Sequence, residues 1–134
     1  MKLKYKIVDN FLNKQDFIAL KNFIYEHTPN SEIYPRIFNL FFNKLKMKSL
    51  IRVKCNCFPS TEKIRINEKH VDYTFKHNGA VFSLNTCDGF TLLDDDTKID
   101  SVENRLLLFD SSKPHASSTC TNTKARFNMN FNYF

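Results

Sequence analysis

The hydrophobic period of this chain changes once, near Leu50, and that switch limits the folds open to it. Before it, apolar residues recur at helical spacing: Phe17, Leu20 and Ile24, then Phe38, Phe41, Phe42 and Leu45. Asn13 with Asp16 three residues on forms a weak capping box, which opens a helix running to about Glu26. Thr28 to Ser31, containing Pro29, breaks the pattern, and a second helix follows Pro35 and ends near Lys48. After Leu50 the period is two. Strands are expected near 50–58, 69–74, 79–85, 89–93, 104–109, 115–119 and 125–133, with a further one at Leu3 to Val8. Turns fall at Pro59-Ser60, Asn78-Gly79, Cys87-Asp88-Gly89, Asp94 to Asp96 and Ser111 to Pro114. Helices first and short strands afterwards indicate an α+β fold, its strands in a sandwich or barrel packed on the helices.

One domain spanning residues 1–134 is expected, since this length buries a real core but does not divide into two. Core material is plentiful, with 14 Phe in the chain. No apolar run approaches the roughly 20 residues of a membrane span, and the N-terminus lacks the apolar stretch of a signal peptide, so a cytoplasmic protein is expected. Cys55, Cys57, Cys87 and Cys120 should then be reduced and structural. Cys55 and Cys57 lack a second Cys/His pair at zinc-ribbon spacing. The net charge of +6 favours an acidic partner such as nucleic acid, yet the Lys and Arg form no basic block.

Alternation decides which side chains share a face of a strand. In the last strand Phe127, Met129, Phe131 and Tyr133 lie on one face, with Arg126, Asn128, Asn130 and Asn132 on the other. In the strand after Leu50, Ile51, Val53, Cys55 and Cys57 oppose Arg52, Lys54, Asn56 and Phe58. Two readings of the polar faces stay open: they meet water, or they line a ligand-filled interior.

His70-Val71-Asp72 would put an imidazole and a carboxylate on one face of a strand, within reach of one cation. His115, after the Ser111 to Pro114 turn, can supply a third ligand. Two histidines and one carboxylate on one face of an octahedron leave three positions open, the arrangement of non-haem iron(II) enzymes. Taken alone, His-x-Asp arises by chance in roughly one in five chains of this histidine content. Order adds weight: His-x-Asp, then a late His, then Arg126 eleven residues on, on a polar strand face. An arginine fork suits a carboxylate through paired, charge-assisted hydrogen bonds.

From about Leu50 to Phe134 the chain resembles the iron(II)- and 2-oxoglutarate-dependent oxygenases. The resemblance rests on Arg52-Val53-Lys54-Cys55-Asn56, His70-Val71-Asp72-Tyr73, Phe82-Ser83-Leu84-Asn85 with Gly89-Phe90-Thr91, Asn104 to Asp110, Pro114-His115, and Arg126 to Phe134. It is nearest to short members encoded by bacterial viruses, which are also similar to prolyl hydroxylases. The resemblance implies a double-stranded β-helix, or jelly-roll, with the N-terminal helices packed on one sheet. It also implies iron(II) on His70, Asp72 and His115, and 2-oxoglutarate held by Arg126 with Asn128 and Asn56 as further contacts. Asn128 stands where many members have Ser. Asn56-Cys57-Phe58 is similar to the Asn-x-Tyr of AlkB-type nucleic-acid demethylases, without the hydroxyl.

The implied activity is hydroxylation of a peptide side chain, with release of succinate and carbon dioxide. The alternatives are oxidative demethylation of a nucleic-acid base and a non-catalytic, cupin-like binding module. Asp94 to Asp96 read as a solvated hairpin loop or a second cation site, and Lys63, Arg65 and Lys69 as surface charge or the rim of a substrate mouth. His27 and His77 fit no constellation, and Asn104 reads as a turn residue.

Overall fold

The alternation of the C-terminal segment governs the architecture. The structure, a computed structural model, describes residues 4–26 and 34–134. Among those residues two helices, α1 (Lys14–Glu26) and α2 (Tyr34–Phe41), follow strand β1 (Tyr5–Val8). The remaining strands are β2 (Leu50–Pro59), β3 (Asn78–Ser83), β4 (Phe90–Leu92), β5 (Lys98–Asp100), β6 (Leu106–Asp110), β7 (Ala116–Ser117) and β8 (Ala125–Tyr133). They form two antiparallel sheets, one ordered β1-β6-β3-β8-β2 and the other β5-β4-β7. His27 lies outside the described residues.

In β8, flanked by β3 and β2, period-two patterning separates the two sides of the large sheet. Met129, Phe131 and Tyr133 join Ala80 and Phe82 of β3 and Leu106 of β6 in a core completed by Phe17 and Leu20 of α1 and Ile37 and Phe41 of α2. Phe41 packs on Phe82 and Phe131 at centroid distances of 5.0 and 4.7 Å. The alternate residues Val81, Leu107 and Phe109 face the other way and meet Leu93 and Ile99 of the smaller sheet's hairpin. Burying a large apolar side chain contributes roughly 1.5–3 kcal/mol, so a one-residue slip of β8 would exchange its three core residues for asparagines.

Local signals account for the ends of several elements. The capping box at α1 is present: Asn13 Oδ1 accepts from the Asp16 amide at 2.9 Å, and its Nδ2 donates to the Asp16 carboxylate at 2.6 Å. α2 ends at Phe41, earlier than expected, and Lys46 turns the chain at φ 51°. Asp96 turns the β4–β5 hairpin at φ 63°. Asn104, at φ 60°, does more than turn the chain, because its amide both accepts from and donates to the backbone of Leu12, tying the approach to α1 onto the sheet.

Three expectations need correction. Residues 69–74 form no strand; His70 makes a lone bridge to His115, and Asp72 sits in irregular backbone. Asn78-Gly79 is not a turn but the start of β3. The cysteines are all unpaired, yet only Cys87 and Cys120 are buried; Cys55 is half-buried and Cys57 exposed, because β2 lies at the sheet edge.

Candidate active site

The polar faces of β2 and β8 face a cavity of about 240 Å³ between the sheets. Arg52, Lys54, Asn56 and Phe58 line it from β2, Asn128 and Asn130 from β8, and Thr91, Ala116 and Ser117 from the small sheet. His70, Asp72 and His115 also line it. The polar faces therefore line an interior cavity and do not lie on the outer surface.

His70 and Asp72 converge without a strand. The His70 and His115 backbones exchange N–H···O bonds of 2.9 Å each, and the Asp72 amide donates to the Ser111 carbonyl at 3.4 Å. His70 Nδ1 lies 3.3 Å from the Glu68 carbonyl and His115 Nδ1 lies 3.0 Å from that of Lys113. A carbonyl only accepts, so each Nδ1 carries the proton and each Nε2 offers a lone pair. Those nitrogens stand 3.9 and 3.7 Å from the Asp72 oxygens, and all three donors lie within 4.8 Å of one another. Donors bound to one ion at 2.0–2.2 Å are about 3 Å apart at right angles and about 4.3 Å apart at most. The two separations, one to each oxygen of the carboxylate, fall between those limits, and the donor set suits a divalent transition metal.

Protonation favours the same use. Burial pushes the His115 imidazole below its ordinary range, outweighing the Lys113 carbonyl and the Asp72 charge, so the ring is neutral at pH 7. Burial alone would raise the Asp72 carboxyl. Hydrogen bonds from Asn132 and Asn130 and the charge of Arg52 prevail, holding it below the usual range. Asp72 accepts from Asn132 Nδ2 at 2.8 Å, from Asn130 Nδ2 and Ser111 Oγ at 3.2 Å each, and pairs with Arg52 at 2.9 Å. Gly79 makes the serine contact possible, since a Cβ there would come within 2.1 Å of Ser111 Oγ.

Arg126 is 1% exposed and lies behind the wall formed by Phe58 and Thr91. One terminal nitrogen donates to the Phe90 and Ser118 carbonyls at 2.8 and 3.2 Å, and the other to Thr91 Oγ1 at 2.9 Å. The guanidinium sits 5.6 Å from the Phe58 ring centre. Its Nε is buried without a partner, and no carboxylate pairs with it among the described residues. Burial pulls its pKa down to about 10, which still leaves it charged at neutral pH. Asn56 donates to Asn128 Oδ1 at 2.9 Å, so these two residues meet each other at the cavity wall.

Sequence reasoning missed part of this assembly. Arg52, Asn130 and Asn132 appeared as members of polar faces and of the resemblance, with no role at the metal site, and Ser111 only as part of a turn. His77, set aside earlier, is buried against Asn132. The cavity is not lined by Lys63, Arg65 or Lys69; Lys69 reaches Asp96 at 2.7 Å instead, and Asp94 to Asp96 form the expected hairpin loop.

No protein-family model matches the sequence, and no curated protein matches it either. Solved structures do match. The prolyl hydroxylase of Trichoplax adhaerens, in complex with a hypoxia-inducible factor peptide fragment, aligns at TM-score 0.70 and 14% identity, over 99% of this chain and 84% of that one. The chain has the fold of a prolyl hydroxylase. The viral collagen prolyl hydroxylase of Paramecium Bursaria Chlorella virus-1, in its 2-oxoglutarate complex, aligns at TM-score 0.66 and 14% identity over 98% and 95% of the two chains. Iron-bound HygX from Streptomyces hygroscopicus aligns at TM-score 0.70 and 8% identity, over 97% of this chain and 81% of its own.

Proposed function

We propose that this chain is an iron(II)- and 2-oxoglutarate-dependent oxygenase, a single jelly-roll domain over residues 1–134 that hydroxylates a side chain of a peptide substrate. The observation that carries the reading is a buried, charged guanidinium without an acidic partner, beside a cavity that also presents two imidazole lone pairs and one carboxylate. An uncompensated buried cation is costly, and an anionic ligand would offset that cost. Among the described residues Asp72 is the single acid on the cavity wall, against Arg52 and Lys54, so the lining favours an anion.

In this reading His70, Asp72 and His115 hold the metal, and Arg126, behind Phe58 and Thr91, supplies the positive charge that offsets the distal carboxylate of 2-oxoglutarate. Asn128, whose oxygen is taken up by Asn56, offers its amino group as a second donor. Iron(II) with 2-oxoglutarate and dioxygen supplies the oxidising power for breaking a C–H bond, releasing succinate and carbon dioxide. The chain's own residues orient the ligands, and burial keeps the His115 imidazole neutral. A peptide substrate is favoured by likeness to the prolyl hydroxylases, and the free thiols are in keeping with a cytoplasmic setting.

Anaerobic iron(II) titration followed by succinate release on admitting oxygen tests the reaction. Mass spectrometry of candidate peptides then looks for the gain of one oxygen. Tight iron binding without succinate would make this a binding module, and loss of a methyl from oligonucleotides would make the substrate a nucleobase.

A further inference from the structure

We propose that His77 is a positioning residue for the metal site, acting through the side-chain amide of Asn132 on the carboxylate of Asp72. This rests on the metal-binding reading above. His77 is 3% exposed, and its Nδ1 lies 2.9 Å from the Phe75 carbonyl. That oxygen only accepts, so Nδ1 carries a proton, and Nε2 faces an amide nitrogen that can only donate. Asn132 Nδ2 sits 3.1 Å from Nε2 and therefore donates to it. The second hydrogen of the same amino group goes to Asp72 Oδ2 at 2.8 Å. Asn132 Oδ1 is left to accept from Arg52 Nε at 3.3 Å, while Arg52 Nη2 reaches Asp72 Oδ1 at 2.9 Å.

The orientation of the Asn132 amide is thus over-determined. A flip would set its oxygen against the Asp72 carboxylate and the His77 lone pair, and its amino group against the Arg52 Nε–H. Three favourable contacts would become three repulsive ones. Asn130, the neighbouring donor to Asp72, has no such control, because its Oδ1 is buried without a partner. His77 is itself held in place: Tyr73 and Phe75 flank its ring at centroid distances of 5.4 Å each. The ring fixes the amide, and the amide and Arg52 together fix the rotation of the carboxylate that must meet the metal. Groups behind metal ligands act in this way, and their loss typically weakens metal binding by about 10–100-fold.

Two substitutions separate positioning from a structural role. The amide oxygen of His77→Gln reaches about as far as Nε2 and can accept from Asn132. The amide of His77→Asn reaches only as far as Nδ1 and can serve the Phe75 carbonyl alone. Cobalt(II) binding, followed by visible absorption on the purified full chain, should weaken about 10–100-fold in His77→Asn. His77→Gln should restore it to within about threefold of wild type. The reverse order, or equal affinities for all three proteins, would overturn the inference while leaving the metal reading intact. A wild-type chain that binds no cobalt would remove the metal reading and this inference with it. If His77→Asn does not fold, nitrogen-15 NMR of the wild-type ring decides: the Nδ1–H tautomer is expected, and an Nε2–H tautomer overturns the relay.

Discussion

Replacing Arg126 with Met removes a charge while keeping an unbranched side chain of similar reach. The fall in the Arg126 pKa from its ordinary value to about 10 corresponds to about 3 kcal/mol acting against the charged form in its buried site. Removing the cation relieves that cost. It also leaves the Phe90 and Ser118 carbonyls and the Thr91 hydroxyl without their donor, at about 1 kcal/mol or more each. The two effects oppose each other at similar size, so the ligand-free variant should lie within about 2 kcal/mol of wild type. The ligand response should differ far more. At a hundred times its dissociation constant, 2-oxoglutarate should stabilise the wild-type chain by about 2.7 kcal/mol, a rise in unfolding midpoint on the order of 10 °C. Thermal unfolding with a redox-silent divalent metal, with and without 2-oxoglutarate, measures both quantities. Arg126→Met should lose the cosubstrate shift, and Arg126→Lys should recover only part of it because the paired geometry is gone. A full cosubstrate shift in Arg126→Met would refute the assignment of the buried guanidinium to 2-oxoglutarate.

Gly89→Ala should act on the same residue from behind, since a Cβ there would lie 2.8 Å from both Arg126 Cδ and the Thr119 carbonyl. The expected outcome is a raised cosubstrate requirement with metal affinity retained, read by titrating each ligand separately. Acid should destabilise the fold in two windows. Below about pH 6.5 the unfolded chain takes up a proton that buried His115 resists, and below about pH 3.8 it takes up one that Asp72 resists, so stability falls as pH falls through each. Urea midpoints of wild type and His115→Gln between pH 5 and 7 should converge on acidification if the first part holds. A thiol reagent applied to the native chain should label Cys57 first and Cys87 and Cys120 only on unfolding.

Where a signal is local and periodic, the fold is legible in the sequence. The eight alternating residues from Arg126 to Tyr133 assign both the helix-facing core and the cavity wall, and Asn13 with Asp16 marks the start of α1. The failures come from partners that sequence spacing does not reveal. Ile66, Val71 and Phe75 give the 64–75 segment a strand-like composition, but the chain opposite offers only isolated bridges, and these apolar side chains remain exposed. β5 was missed because Ile99 is the sole buried residue between two exposed polar ones. Asn78-Gly79 carries a hairpin signature, yet Gly79 has no positive φ and is instead needed for its missing side chain, which admits Ser111. His77 was set aside because its relation to Asn132 spans 55 positions.

Arg126 and Asn132 stand at opposite ends of a single strand, separated by roughly 20 Å of extended chain. The anchor proposed for the cosubstrate and the amide that steadies the metal's carboxylate are therefore graduations on one ruler. Sliding β8 against its neighbours would carry both marks together and leave the interval between them unchanged. Loops around the cavity can be rebuilt without disturbing that interval, whereas inserting or deleting one residue between Arg126 and Asn132 would turn one of the two onto the opposite face of the sheet.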